Sequence, residues 1–131
     1  MFEKFNTIEI DGKSFPIKCD INVLAAVQEE FGNMNNFEMK LLGLTPVMEE
    51  GKIKLMDNGK PAFVKGEPSV KAVKFALPLM LKEGKDAAKE QGEEVEEISI
   101  KAAVKNVEFD IYSAAVIMHE EFSRCFHRKN E

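Results

Sequence analysis

No run of apolar residues in this chain approaches the roughly 20 needed to cross a bilayer, and Met1-Phe2-Glu3-Lys4 lacks the long apolar core of a secretory signal. The expected setting is therefore the cytosol. Positive charge is also in short supply. Eighteen Lys and Arg stand against 23 Asp and Glu, a net charge of −5. That balance disfavours nucleic acid as a partner, because phosphate contacts need clustered cations. The locally basic stretch Arg124 to Lys129 suits the negative end of a helix dipole better than a nucleic-acid site. Cysteine is scarce as well: Cys19 and Cys125 read as two small buried thiols kept reduced, with a bridge between them as the minor alternative.

Chemical motifs are equally thin. There is no Gly-rich phosphate loop, no nucleophile elbow and no Cys-x-x-Cys pair. His119-Glu120 matches the first half of a zinc-protease helix motif, but Ser123 stands where the second histidine must be. His119 and His127 lie about two helical turns apart and cannot readily share an ion. The acidic run Glu90 to Glu97 lacks the alternating oxygen ligands of a calcium loop. No catalytic residue, cofactor or metal ligand is assigned, and no enzymatic activity is expected.

What the sequence does contain is a small α+β domain. Its 131 residues suit a single domain, 1–131, able to bury roughly two-thirds of its unfolded surface without metal or disulfide. Ile8-Glu9-Ile10 and Phe15-Pro16-Ile17-Lys18 alternate around Asp11-Gly12, a dipeptide suited to a tight hairpin turn. That register sets Ile8 opposite Phe15 and gives the ribbon one greasy side. Asp20 or Asn22 then caps a helix over Asn22–Phe31, closed by Gly32; a second runs from Asn35 or Asn36 to Gly43. Residues 45–67 read as a variable hairpin or loop. If a hairpin, it spans 53–64 around Asn58-Gly59, with Asp57 opposite Lys60. The strongest helix runs from Pro68 to Gly84, with Pro in its first turn and Gly at its end. Residues 85–98 read as an acidic linker, and a last helix spans about Val107 to His127, with Glu120 and Arg124 paired outside. The architecture expected is an N-terminal β-hairpin, with or without a second hairpin, packed on four to five helices.

Two features suggest surface meant for another protein. Methionine is frequent, at seven residues, and its pliant side chain serves surfaces that must fit varied partners as well as it fills cores. The Pro68–Gly84 helix is apolar over far more than the ~100° arc a surface helix needs. Either it is covered on most sides, or one flank is left for a partner. On the second reading Phe75, Leu79 and Met80 form one wall of a groove, and Phe122 and Phe126 on the last helix form the other.

The run from Ile10 to Leu24, its continuation Gln28-Glu29-Glu30-Phe31-Gly32, and Phe75-Ala76-Leu77-Pro78-Leu79-Met80 leading to Glu83-Gly84 resemble the tail assembly chaperones of Firmicutes long-tailed phages and prophages. The terminal helix with Phe122 and Phe126 fits the same pattern. The likeness covers most of the chain except two variable joins, and its motifs are hydrophobic and turn positions. It implies a non-enzymatic protein that binds the tape measure protein, helps tail tube subunits assemble, and in some relatives exists in a longer frameshifted form. The rival readings are a structural tail or head–tail component, a small protein-interaction adaptor, a small enzyme and a DNA-binding regulator. The first of these differs from a chaperone in staying in the finished particle.

Overall fold

The computed structural model describes residues 4–10, 12–94 and 110–126. Its first element pair is the expected hairpin. β1 (Asn6–Ile10) and β2 (Lys13–Ile17) run antiparallel, with Ile8 opposite Phe15 and Ile10 opposite Lys13. The period-2 alternation puts Ile8, Ile10, Phe15 and Ile17 on the buried face, while Thr7, Glu9 and Ser14 stay exposed.

Helix α1 (Ile21–Phe31) starts on Asp20, whose carboxylate accepts from the Asn22 and Val23 N–H groups, and stops at Gly32, where φ is +85°. Helix α2 (Met34–Leu42) begins one to two residues before the expected start, because Asn33 takes the cap and accepts from Asn36 N–H at 2.7 Å.

Helix α3 (Val70–Glu90) corrects the expected boundary. Gly84 does not end the helix. The chain continues as helix through six residues of the supposed acidic linker and turns at Gln91-Gly92, with Gly92 at φ +83°. Gly84 serves packing instead. It is buried, and a Cβ there would lie 2.2 Å from the Pro16 carbonyl oxygen. Strand β2 crosses α3 at that point, and Lys18 N–H donates to the Met80 carbonyl at 3.0 Å. A glycine read as punctuation is in fact a crossing point.

Helix α4 (Ile111–Phe126) is capped by Asp110, whose carboxylate accepts from the Tyr112 and Ser113 N–H groups. The expected start at Val107, the end at His127 and residues 95–98 of the acidic join lie outside the described residues. The core sits where β2, α1, α2 and α4 close around α3. Five phenylalanines thread it: Phe75 meets Phe31 at 5.7 Å, Phe31 meets Phe37 at 5.2 Å, Phe37 meets Phe122 at 5.2 Å, and Phe122 meets Phe126 at 5.2 Å between ring centroids. Each such pair contributes about 0.5–1.5 kcal/mol beyond its buried area.

Between α2 and α3 the chain leaves this body. Short strands β3 (Leu44–Pro46), β4 (Met48–Glu49), β5 (Lys52–Ile53) and β6 (Phe63–Lys65) pair as β3–β6 and β4–β5, both antiparallel. The β4–β5 turn is Glu50-Gly51, both with positive φ, as a tight two-residue turn requires. The expected 53–64 hairpin is present only in part, and one residue out of register. Met56 N–H donates to the Lys60 carbonyl at 2.8 Å, and Leu55 bridges Pro61. The loop is therefore Asp57-Asn58-Gly59, with Gly59 at φ +80° and Asn58 Oδ1 accepting from Lys60 N–H. Beyond Ala62 the strand turns to β3 rather than continuing along Ile53.

Candidate functional site

The five residues expected to form a partner-binding groove, Phe75, Leu79, Met80, Phe122 and Phe126, all touch the core. Met80 and Phe122 are fully buried in the core. Phe75 and Leu79 are half-buried and packed against it, as is Phe126. Three of the five belong to the phenylalanine chain. The reason is topological. Helix α3 is central, and both flanks of its wide apolar arc are used, by β2 and α1 and by α2 and α4.

Exposed apolar surface exists, but elsewhere. Among the described residues, no hydrophobic residue between Leu41 and Ala72 enters the core. Six of the ten exposed large hydrophobic residues among those described nevertheless fall in the β excursion: Met48, Ile53, Leu55, Met56, Phe63 and Val64. Leu55 and Val64 are each 60% exposed. The three legs of the excursion are tied by a ring of backbone bonds. Val47 N–H donates to Ala62 (2.9 Å), Ala62 to Lys54 (2.9 Å) and Lys54 back to Val47 (2.8 Å). This ring lets a thin, two-sided structure hold its shape without a core of its own.

The neck of the excursion is equally defined. Gly66 N–H donates to the Gly43 carbonyl at 2.7 Å, and Ser69 N–H to the Lys40 carbonyl at 2.9 Å. A Cβ on Gly43 would lie 2.5 Å from the Gly66 oxygen, so only glycine permits the approach. Beside the neck lies a mostly apolar groove of about 310 Å³, lined by Leu41, Leu42, Pro68, Tyr112, Ala115 and Val116, with Lys65, His119 and Glu120 at its edge. Tyr112 lies near Glu67. Loss of hydration, and then the Glu67 carboxylate, raise its hydroxyl above the ordinary value.

At the edge of this groove His119 Nε2 sits 2.9 Å from Glu38 Oε2 and 3.4 Å from Ser123 Oγ. Serine and carboxylate meet the same ring nitrogen. A nucleophile relay needs them on opposite nitrogens, so this arrangement joins α2 to α4 and does not pass a proton through the ring. No group of three or more His, Cys, Asp or Glu among the described residues could hold a metal ion, and none of the described helices is long and apolar enough to cross a membrane.

One buried charge escaped the sequence reading. Glu121 is 2% exposed. Its Oε1 accepts from Asn6 Nδ2 (3.0 Å) and Arg124 Nε (3.0 Å); its Oε2 accepts from Cys19 N–H (2.7 Å) and Arg124 Nη2. Arg124 Nη2 also reaches the Cys19 carbonyl at 3.2 Å. The guanidinium thus turns inward to Glu121, and not only outward as the Glu120 pairing implied. The signal was available: Glu121 lies three residues after Met118 and beside Phe122, within the apolar stripe.

No family model matches the chain, and neither does any curated protein or solved structure.

Proposed function

We propose that this chain is a non-enzymatic assembly chaperone of a long-tailed phage or prophage, which holds the tape measure protein in the host cytosol until tail tube subunits close around it. The observation that supports this most is the β excursion. It adds nothing to the core, yet displays Met48, Ile53, Leu55, Met56, Phe63 and Val64 to solvent. Soluble proteins do not usually group exposed apolar side chains without a partner to cover them. The sequence likeness to tail assembly chaperones supports the same reading, and the excursion falls in the join that varies among them.

The chemistry fits a reversible grip. Methionines at 48 and 56 adapt to an irregular apolar helix face, and Leu55, Phe63 and Val64 supply area. The groove beside Tyr112 and Val116 takes two or three aliphatic side chains by volume. Tail tube subunits are the second partner, and the same patch serves homo-oligomers when no client is present. Neither nucleic acid nor a membrane is assigned as a partner.

The test is co-expression with the large helical protein encoded beside this one. The expected result is that the helical protein becomes soluble and co-purifies with this chain, and that Leu55→Glu with Phe63→Glu abolishes both effects while the variant stays folded. Mass spectrometry of purified particles separates the alternative, a structural tail or head–tail component, from a chaperone: only the former is found in the particle. A small adaptor would bind the folded client without rescuing its solubility.

A further inference from the structure

We infer that Cys19 and Cys125 form a dithiol pair which low-molecular-weight disulfides oxidise to an internal bridge, fastening the N-terminal hairpin to the end of α4. Cys19 lies on the segment leaving β2, and both of its backbone groups are tied to α4. Its N–H donates to Glu121 at 2.7 Å, and its carbonyl accepts from Arg124 at 3.2 Å. Cys125 stands four residues beyond Glu121, so it projects from the same helix face one turn along. Cys125 is among the groups that push the Cys19 thiol up, as a side chain lying beside it does, and both thiols are free. These are the chain's two cysteines, and the buried Glu121–Arg124 pair holds Cys19 against the helix that carries Cys125.

Their unequal exposure sets the order of events. Cys125 is half-buried, while Cys19 is 1% exposed. The Cys125 thiolate attacks one sulfur of an oxidant such as oxidised glutathione. The oxidant's S–S bond breaks, one glutathione thiolate leaves, and a mixed disulfide forms on Cys125. The Cys19 sulfur then attacks the Cys125 sulfur as its proton passes to the departing second glutathione thiolate, which leaves as the thiol. Two protein thiols are oxidised and one small disulfide is reduced to two thiols. Burial pushes the Cys19 thiol up, with Cys125, Glu121 and Asp20 adding to the shift. Cys19 therefore stays protonated and unreactive toward outside reagents, and attacks only the neighbour placed against it. This inference stands apart from the chaperone reading and needs no partner.

The experiment uses the reduced full-length protein, incubated with oxidised glutathione without denaturant. The expected product is a monomer lighter by two hydrogens, with no titratable thiol and a melting temperature higher by about 5 °C or more, reversed by dithiothreitol. Cys19→Ala is expected to stop at a glutathione adduct on Cys125, and Cys125→Ser to remain unmodified. Should Cys19→Ala fail to fold, the mass and melting shift of the natural chain decide the matter. Retention of two thiols, covalent dimers, a bridge that forms only in urea, or a bridge without a rise in melting temperature overturns the inference.

Discussion

Glu121 shows how one side chain can join the two ends of a chain. Its carboxylate holds Asn6 and Cys19 from the hairpin region and Arg124 from its own helix, so every strong acceptor position is used inside the fold. Removing it leaves the Cys19 N–H without its partner and Arg124 without its counter-charge. Glu121→Ala is expected to lower unfolding free energy by about 3 kcal/mol in urea titrations. A milder effect is expected at Glu83. The carboxyl of the α1 cap Asp20 beside it, then burial and the nearby Asp86 charge, raise its carboxyl above the ordinary carboxylate value. A group raised on folding contributes stability that is full below its unfolded value and lost as pH rises through its folded one. Glu83→Gln is therefore expected to be slightly stabilising at pH 7, by about 0.5 kcal/mol or less given its exposure, with no advantage at pH 3. Melting curves of both proteins across that range check the sign.

At the scale of elements, the hardest test falls on the crossing of β2 over α3. Alanine is a better helix former than glycine by about 1 kcal/mol, so a propensity argument predicts that Gly84→Ala stabilises a 21-residue helix. The contact argument predicts the opposite, because the new methyl would meet Pro16 and Ile17 backbone at 2.2–2.7 Å. The expected outcome is a loss of about 2–3 kcal/mol, read by thermal or urea unfolding. The same position explains what was legible beforehand and what was not. The β1–β2 register followed from alternation and a turn, both local signals, as did the caps Asp20, Gly32 and Gly43. Helix α3 was legible as a helix, but its end was not, since whether a glycine stops a helix or receives a crossing strand depends on residues 60–70 positions away. The burial of the candidate site residues was not legible for a related reason. A wide apolar arc marks Phe75, Leu79 and Met80 as needing cover, and periodicity does not say whether the cover comes from this chain or another. Here the chain supplies it. Four of the exposed residues, Met48, Ile53, Phe63 and Val64, lie in short strands whose pairing follows from long-range closure rather than from any repeat.

At the scale of the whole molecule, the chain divides its apolar residues between two uses. From Ile8 to Leu41 and from Ala72 to Phe122 most of them build the core, with Ile21, Tyr112 and Val116 left exposed; Met48, Ile53, Leu55, Met56, Phe63 and Val64 face outward. The division makes a prediction that neither use alone would make. The excursion begins and ends at one hydrogen bond, Gly66 N–H to the Gly43 carbonyl at 2.7 Å, so the chain arrives back where it left. Residues 44–65 can therefore be replaced by a two-glycine link without stretching the body. Loop closure becomes cheaper with the shorter link, and no buried hydrophobic residue is lost. The excised protein is expected to fold with a melting temperature within a few degrees of the full chain, while losing the ability to keep the helical client soluble. Circular dichroism and the co-expression assay read the two results separately. If the excised body is folded and still rescues the client, the groove beside Tyr112 and Val116 carries the binding instead. If the body does not fold, the excursion is part of the structural framework, and its exposed side chains lose their standing as a surface set aside for a partner.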